Sequence, residues 1–424
     1  MELSDREYLK RLFEAFYEVG ALPGGGVTRL GYTALEDEMH RRFGALAEAL
    51  GGTVETDLAG NSYAFLAPAE EYVLIGSHLD SVIQGGRYDG VAGVMAGLLL
   101  LKRAKEAGLK LPIKVAAFRC EESSNFGCCT MGSGLVTGQL KEGLEKLSKL
   151  TGKDGSLLGD VFASRGLSLT PPRITGVKSY LELHIEQGKV LEETGTRVGV
   201  VSTIAGPRRW KLQLKGLAEH SGATPMSMRQ DALCAACEIV LAVERIGQRE
   251  AARCESVATV GVIQNVPNAL NVVPGAAELG IDLRGSRMDS LDRMEQDTLR
   301  AAREICARRR IGLTESKLSE LDPVSMDPGI QQGLMAAAER LGVSCRNMPQ
   351  RRGPRRHGIR APVPHGHGVH PLQEGHLPQP PGERHPGEHP GRGRRAVGVF
   401  ERNGIKAAGP FLVRKGPQKN SIQG

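Results

Sequence analysis

No stretch of this 424-residue chain reaches the ~18 consecutive apolar residues that a membrane-spanning helix needs. The opening run Met1-Glu2-Leu3-Ser4-Asp5-Arg6-Glu7 lacks the apolar segment of a secretory signal. Cysteine is present but unpatterned. Cys120, Cys128, Cys129, Cys234, Cys237, Cys254, Cys306 and Cys345 are scattered, which excludes the dense disulfide framework of a small secreted domain. These absences point to a cytoplasmic protein with no membrane partner. Cys234 and Cys237 form a C-x-x-C, but Asp231-Ala232-Leu233-Cys234-Ala235-Ala236-Cys237 reads as helix. Two small apolar residues one turn apart are expected there, not a redox or zinc site.

Evenly spread basic charge is lacking too. The net charge is +7, yet the stretch from Pro349 to the end carries 14 Lys+Arg against 4 Asp+Glu, a net of +10. The remaining 41 basic and 44 acidic residues leave −3 for the body. A nucleic-acid partner is therefore not expected for the body of the chain.

What is there alternates between two patterns. Residues 34–50 and 91–107 have helical spacing, and Tyr72 to Ile75, Leu111 to Phe118 and Tyr180 to Ile185 read as buried strands. Strands separated by helices suggest a mostly parallel α/β sheet. Near residue 198 the pattern changes. Strands are expected at Thr196 to Ala205, Arg209 to Gly216, Ser256 to Gln264 and Ala276 to Arg284, with helices at Met228 to Ile246 and Ser290 to Arg308. That order fits an inserted α+β domain with an antiparallel sheet backed by two helices. A strand at Leu313 to Leu318 and a helix at Ile330 to Leu341 are expected to return to the first domain. The reading is thus two-domain α/β: residues 1–198 plus 313–348 form one domain and 199–312 the insertion. Residues 349–424 form a basic tail rich in Pro, Gly, Arg and His, a composition that cannot bury enough apolar surface to order itself.

Histidine is scarce outside that tail, which holds His357, His365, His367, His370, His376, His385 and His389. Of the other four, His40 lies on a charged helical stretch and is expected at the solvated surface. His78 and Asp80 follow the strand from Tyr72, and alternation puts them on one face. Asp89 comes after the flexible Gly85-Gly86. The strand from Leu111 ends in Arg119-Cys120-Glu121-Glu122, and His184 lies on the strand from Tyr180. Carboxyl ends of parallel strands are where α/β proteins place ligands. Imidazoles and carboxylates converging there suit a zinc-like ion.

Four segments resemble the amidase, hydantoinase/carbamoylase family: Gly76-Ser77-His78-Leu79-Asp80-Ser81, Gly85-Gly86-Arg87-Tyr88-Asp89-Gly90-Val91, Glu121-Glu122 and Glu182-Leu183-His184-Ile185-Glu186-Gln187-Gly188. That family, within the aminoacylase and metallopeptidase superfamily, includes N-carbamoyl-L-amino-acid hydrolases, β-ureidopropionases and allantoate amidohydrolases. The resemblance covers about residues 5–348. It implies two divalent metal ions (Zn, Mn, Co or Ni): His78 and His184 on one, Asp89 bridging, Glu122 on the second. It implies that Asp80 orients His78 and that Glu121 is the general base. Gly216-Leu217-Ala218-Glu219-His220-Ser221-Gly222-Ala223-Thr224-Pro225-Met226 resembles the segment whose histidine stabilises the oxyanion, which would be His220. Asn268 to Gly275 and Asp282-Leu283-Arg284 resemble segments that hold the substrate carboxylate. Asn271, Arg284 and Gln187 would then be substrate-binding, and the insertion a lid and homodimerisation domain. Relatives that cleave peptides usually carry a carboxylate where His184 stands.

The family's pattern continues with a Gly-Ala-Gly-His-Asp-Ala segment and an Ile-Ser-His segment whose histidine is the remaining ligand of the second metal. Neither is present. Codons can be chosen for Gln350 to Gly358 so that a shifted frame reads Ser-Gly-Ala-Gly-His-Asp-Ala-Met. The same exercise on Gly375 to Pro380 yields Gly-Ile-Ser-His-Asn-Pro. The tail is therefore read as an out-of-frame translation, to be tested by sequencing the gene; a His/Arg-rich arm binding metal or nucleic acid is the alternative. Without its proper end, the first domain is expected to lack its last strand and helix and to expose a sheet edge.

Overall fold

The computed structural model describes residues 4–140, 143–350 and 411–413. It divides into two compact units, one built from residues up to Ser202 together with Met326–Met348, the other from Thr203–Ser325.

The first unit opens with α1 (Asp5–Tyr17), started by a capping box in which Ser4 and Glu7 satisfy each other's backbone N–H. Next come α2 (Ala34–Ala49), β1 (Thr53–Thr56), β2 (Ser62–Phe65), β3 (Tyr72–His78), α3 (Val91–Glu106) and β4 (Ile113–Phe118). Short helices α4 (Met131–Thr137), α5 (Leu144–Ser148) and α6 (Leu158–Ser164) lead to β5 (Val177–Leu181), β6 (Leu183–Ile185) and α7 (Val190–Glu193). The five-stranded sheet has the order β1-β2-β4-β3-β5. Its β4-β3-β5 part is parallel, and the β1–β2 hairpin adds antiparallel edge strands.

The core explains this arrangement. β3 is buried along its whole length, as expected of a strand covered on both faces. α3 packs on it and is apolar nearly all round, because α1 covers its outer side. Leu98, Met95 and Val94 on α3 are fully buried, together with Leu74 and Val115. Each such side chain contributes roughly 1.5–3 kcal/mol on burial. Gly90 starts α3 with φ +64°, and a Cβ there would lie 2.5 Å from the His78 carbonyl oxygen and 2.6 Å from its ring. Only glycine lets the helix start this close to that histidine.

Two expectations need correction in this unit. The strand expected at Tyr180 to Ile185 is two strands, broken at Glu182. The Glu182 carboxylate is buried and accepts hydrogen bonds from the hydroxyls of Ser77 and Tyr180. Past this point the chain leaves the large sheet, and β6 pairs instead with β16 (Phe411–Val413). That pairing is the second correction. Phe411–Val413 lies parallel to β6 and antiparallel to Val198–Val200, so three residues of the stretch expected not to order itself form a strand, while β6 still ends the described sheet. Residues 351–410 and 414–424, where the rest of the expected tail falls, lie outside the described residues.

β7 (Val198–Ile204) leads into the second unit, which contains β8 (Gly206–Lys215), β9 (Glu219–His220), α8 (Ala232–Ala251), β10 (Val257–Val266), β11 (Val272–Val273), β12 (Ala276–Gly285), α9 (Met288–Arg309), β13 (Gly312–Glu320) and β14 (Val324–Ser325). An antiparallel sheet of order β10-β12-β8-β13 is backed by α8 and α9. β12 alternates along its length, sending Ala277, Leu279, Ile281 and Leu283 into a core with Ile239, Val243, Leu291 and Met294. The boundary expected at residue 313 moves. β13 pairs with β8 over Gly312–Glu320, so the chain returns to the first unit only at Met326. The strand expected at Thr196 to Ala205 does not join this sheet; as β7 it pairs with β14 and with Phe411–Val413, and β13 is the sheet's fourth strand. Alternation shows which face of a strand is inward but not which sheet the strand joins. α10 (Pro328–Arg340) and β15 (Cys345–Gln350) complete the first unit, and β15 pairs with β7. Among the described residues, no helix is long and apolar enough to cross a membrane.

Candidate metal centre

β3, β4 and β6 deliver the expected site residues to one place. His78 ends β3, Glu121 and Glu122 follow β4, His184 is the middle residue of β6, and Asp89 precedes α3. None of these residues, nor Asp80, is more than 4% exposed. Two groups have ligand atoms close enough to share an ion, His78 with Asp89 and His184, and His78 with Glu121 and Glu122. His78 belongs to both.

Hydrogen bonding sets which ring atoms face inward. His184 Nδ1 lies 3.0 Å from the Ile185 carbonyl, which puts the proton on Nδ1 and leaves a lone pair on Nε2. Burial pushes His184 down to about 3, and the neighbouring His78 adds to this. Its Nε2 nevertheless stands 3.4 Å from Asp89 Oδ1. Two lone-pair-bearing atoms facing each other in a dry site call for a cation between them. His78 Nδ1 lies 3.2 Å from the Asp80 carboxylate and 3.2 Å from the Asp80 carbonyl. Its Nε2 points at Asp89 (3.9 Å) and Glu121 (4.0 Å). Burial opposes charge on His78, but Asp80, Glu121 and Asp89 outweigh it and hold the ring well above its ordinary range. His78 Nε2, His184 Nε2 and Glu122 Oε1 are buried and make no hydrogen bond. Two imidazoles and three carboxylates arranged in this way fit a divalent cation.

The surroundings brace the donors. Asp80 accepts from the backbone N–H groups of Glu121 (3.1 Å) and Glu122 (2.9 Å), so one carboxylate ties the end of β3 to the end of β4. Sequence reasoning had assigned Asp80 only to His78. It missed Glu182, whose bond to Ser77 braces the residue before His78. It also missed Arg29, a fully buried guanidinium that donates to the Leu79 carbonyl (3.2 Å). Burial lowers Arg29 to about 10, with Asp80 and Asp89 opposing, so a positive charge stands behind the carboxylates. His40 is the clearest miss. It is 5% exposed, not solvated, and its Nδ1 lies 2.8 Å from the Ser62 hydroxyl. Charged neighbours in the sequence hid the fact that His40 shares the inward stripe of α2 with Met39 and Phe43.

The remaining expected site residues are elsewhere. Gln187 is half-buried, just past β6 in the first unit. His220 and Asn271 are neighbours in the second unit, where His220 pairs with Val272 and the Ser221 N–H donates to the Asn271 carbonyl (2.9 Å). Both side chains are exposed. Arg284 grips Asp282 of the same strand with Nε and Nη2 at 3.0 and 2.9 Å.

This fold and donor set define a metallohydrolase class, and residues 74–353 match the Peptidase family M20/M25/M40. The chain belongs to that family, whose members are metal-dependent, and it is a hydrolase acting on C–N bonds. It is 37% identical over 338 residues to the N-carbamoyl-L-amino acid amidohydrolase of Geobacillus stearothermophilus, covering 77% of this chain and 80% of that one. It is 32% identical over 357 residues to the allantoate amidohydrolase of Bacillus subtilis, covering 82% and 85%. Among solved structures, an amidase of the hydantoinase/carbamoylase family from Burkholderia multivorans superposes with a TM-score of 0.78 at 27% identity, over 97% of this chain and 90% of that one.

Proposed function

We propose that this chain hydrolyses a linear amide or ureido C–N bond in a small carboxylate-bearing substrate such as an N-carbamoyl-L-amino acid or allantoate. The observation that carries this is the buried pair of donor groups sharing His78, with His184 opposite Asp89. Two divalent ions, among Zn, Mn, Co and Ni, would be held by His78, His184, Asp89 and Glu122. When bound, they supply Lewis-acid polarisation of the scissile carbonyl and acidify water. Glu121 takes the proton of the attacking water and passes it to the leaving nitrogen. Asp80 keeps the His78 ring oriented. His220 is assigned to the oxyanion, and Asn271, Arg284 and Gln187 to the substrate carboxylate. Arg284 must exchange part of its Asp282 pairing for that carboxylate, to which its planar fork is suited.

We also infer a homodimer assembled through the second unit, where β10 is the sheet's edge strand and exposes Val262, Ile263 and Val266. Eight free thiols support a cytoplasmic setting. The test of function is a panel measuring ammonia and amine release from N-carbamoyl amino acids, allantoate and ureidopropionate with added Mn²⁺, Co²⁺, Ni²⁺ or Zn²⁺. Release of ammonia with dipeptides left intact supports the reading. Cleavage of dipeptides alone would favour the second reading, a metallo-exopeptidase or aminoacylase, which the family's peptidase members motivate. A third reading is a catalytically impaired remnant, motivated by the lack of the family's Ile-Ser-His segment in the sequence. Purified protein with near-zero metal content would support it.

A further inference from the structure

We propose that Glu36 is a positioning residue for the reaction, aiming Glu121 and Glu122 through the backbone turn at Cys120. The inference rests on the reading of Glu121 as base and Glu122 as ligand. Glu36 lies on α2, more than 80 residues upstream of that turn, and in the sequence it resembles an ordinary first-turn acid on a solvated helix. In the structure it is fully buried. Its Oε1 accepts the Cys120 N–H at 2.8 Å, and its Oε2 accepts the Tyr32 N–H at 2.6 Å and Arg119 Nη1 at 3.1 Å.

Three consecutive backbone N–H groups, those of Cys120, Glu121 and Glu122, thus each end on a buried carboxylate oxygen. Glu36 takes the first and Asp80 takes the other two. The conformation they hold is one a side chain rarely adopts, because Cys120 has φ +48°. Such a turn persists only where its surroundings over-determine it. The packing is tight as well: a Cβ at Gly31 would stand 2.4 Å from Cys120 Sγ. Asp80 alone fixes the turn only to the neighbouring strand. Glu36 fixes it to α2, which is anchored in the core by Met39, Phe43 and Ala47. Arg119 completes the clamp by donating to the Gly60 carbonyl (3.0 Å). With Glu36 gone, the Cys120 N–H loses its acceptor, and the positive φ is held only by Asp80 and by the Met131 N–H on the Cys120 carbonyl (2.9 Å), so the two following carboxylates are aimed less tightly.

The test compares Glu36→Gln with Leu12→Ala, which removes a buried side chain of the same core from α1 and leaves the anchors of α2 in place. Glutamine presents an NH₂ where one of the two acceptor oxygens stood, so at least one N–H loses its partner. Two readouts are taken on metal-loaded protein: kcat and KM for the substrate identified by the panel, and chelator competition for Zn²⁺ or Mn²⁺ per folded chain. For Glu36→Gln we expect kcat to fall roughly 10- to 100-fold with KM little changed, and metal affinity to weaken by a similar factor. Leu12→Ala should lower the melting temperature at least as much while leaving both readouts near wild type. Wild-type kcat and metal affinity in Glu36→Gln, or equal losses in Leu12→Ala, would overturn the proposal. Failure of the functional reading looks different, because chelator competition needs no substrate. If wild type turns over no ureido or amide compound but Glu36→Gln still weakens metal binding, the substrate assignment fails and Glu36 keeps its role.

Discussion

The candidate site residues of the two units are held in opposite ways. In the first unit His78, Asp80, Asp89, Glu121, Glu122 and His184 are all buried; Asp80 is held by two backbone N–H groups, His184 faces a backbone carbonyl and His78 faces Asp80. In the second, His220 and Asn271 stand exposed on a two-stranded ribbon, and Arg284 is partly exposed on an ion pair. Buried donors are pre-organised: their desolvation was offset on folding, and they need little rearrangement to meet a cation or a developing charge. Exposed groups cost the fold little, but ordering them around a substrate carries an entropy cost at binding. Replacements in the first unit should therefore change metal content, stability or the chemical step. Replacements in the second should change turnover or affinity while leaving the free protein as it was.

The sharpest way to break that contrast is at Glu121. Glu121→Gln keeps the shape and removes the proton acceptor, so kcat should fall by roughly 10²- to 10⁴-fold. Metal content should be unchanged, because Glu121 is assigned to the proton and not to an ion; metal loss matching the loss of rate would show that it is a ligand. His220→Ala should come next, at about 10²- to 10³-fold in kcat. Its melting temperature and metal content should match wild type, as for other exposed positions. A destabilised His220→Ala protein would erase the distinction between the units. Arg284→Gln should act mainly on KM. Loss of a charge-assisted contact of about 1.5–3 kcal/mol corresponds to a rise of roughly ten- to a hundredfold. A fall in kcat with constant KM would instead place Arg284 in the chemical step.

The same contrast explains what could be read without a structure. The alternation His78-x-Asp80, the strand end at Glu121-Glu122 and His184 beyond the third strand are local features, and they converge as expected. Sheet membership is not local. The outward alternation of Gly312–Glu320 is compatible with either unit, and only its pairing with β8 decides. The break at Glu182 is set by a hydroxyl more than a hundred residues away. Braces such as Arg29 and Glu36 are charged residues, which local reading assigns to solvent, yet their partners come from distant strand ends. Candidate ligands announce themselves by type and position, while braces from distant segments, such as Arg29, Glu36 and Glu182, are visible only in three dimensions.

His40 offers the smallest effect and the cleanest measurement of burial in the first unit. Burial, with the nearby Arg119 adding to it, holds the imidazole well below its ordinary range. In the unfolded chain it titrates near pH 6.5. Below that pH the unfolded state binds a proton that the folded state refuses. The stabilising contribution of the neutral ring is thus present above pH 6.5 and is lost as pH falls, by up to about 1.4 kcal/mol per pH unit from this one group. Other groups titrate in the same range, so the informative quantity is a difference. The stability of wild type minus that of His40→Gln, taken from denaturant melts between pH 7.5 and 5.0, should be flat above pH 6.5 and slope downward below it. Glutamine retains a polar partner for the Ser62 hydroxyl without a titrating ring. A flat difference across the whole range would mean that the folded protein protonates His40 as readily as water does. The buried stripe of α2, which also carries Glu36, would then be far wetter than the complete burial of its Met39 and Phe43 allows.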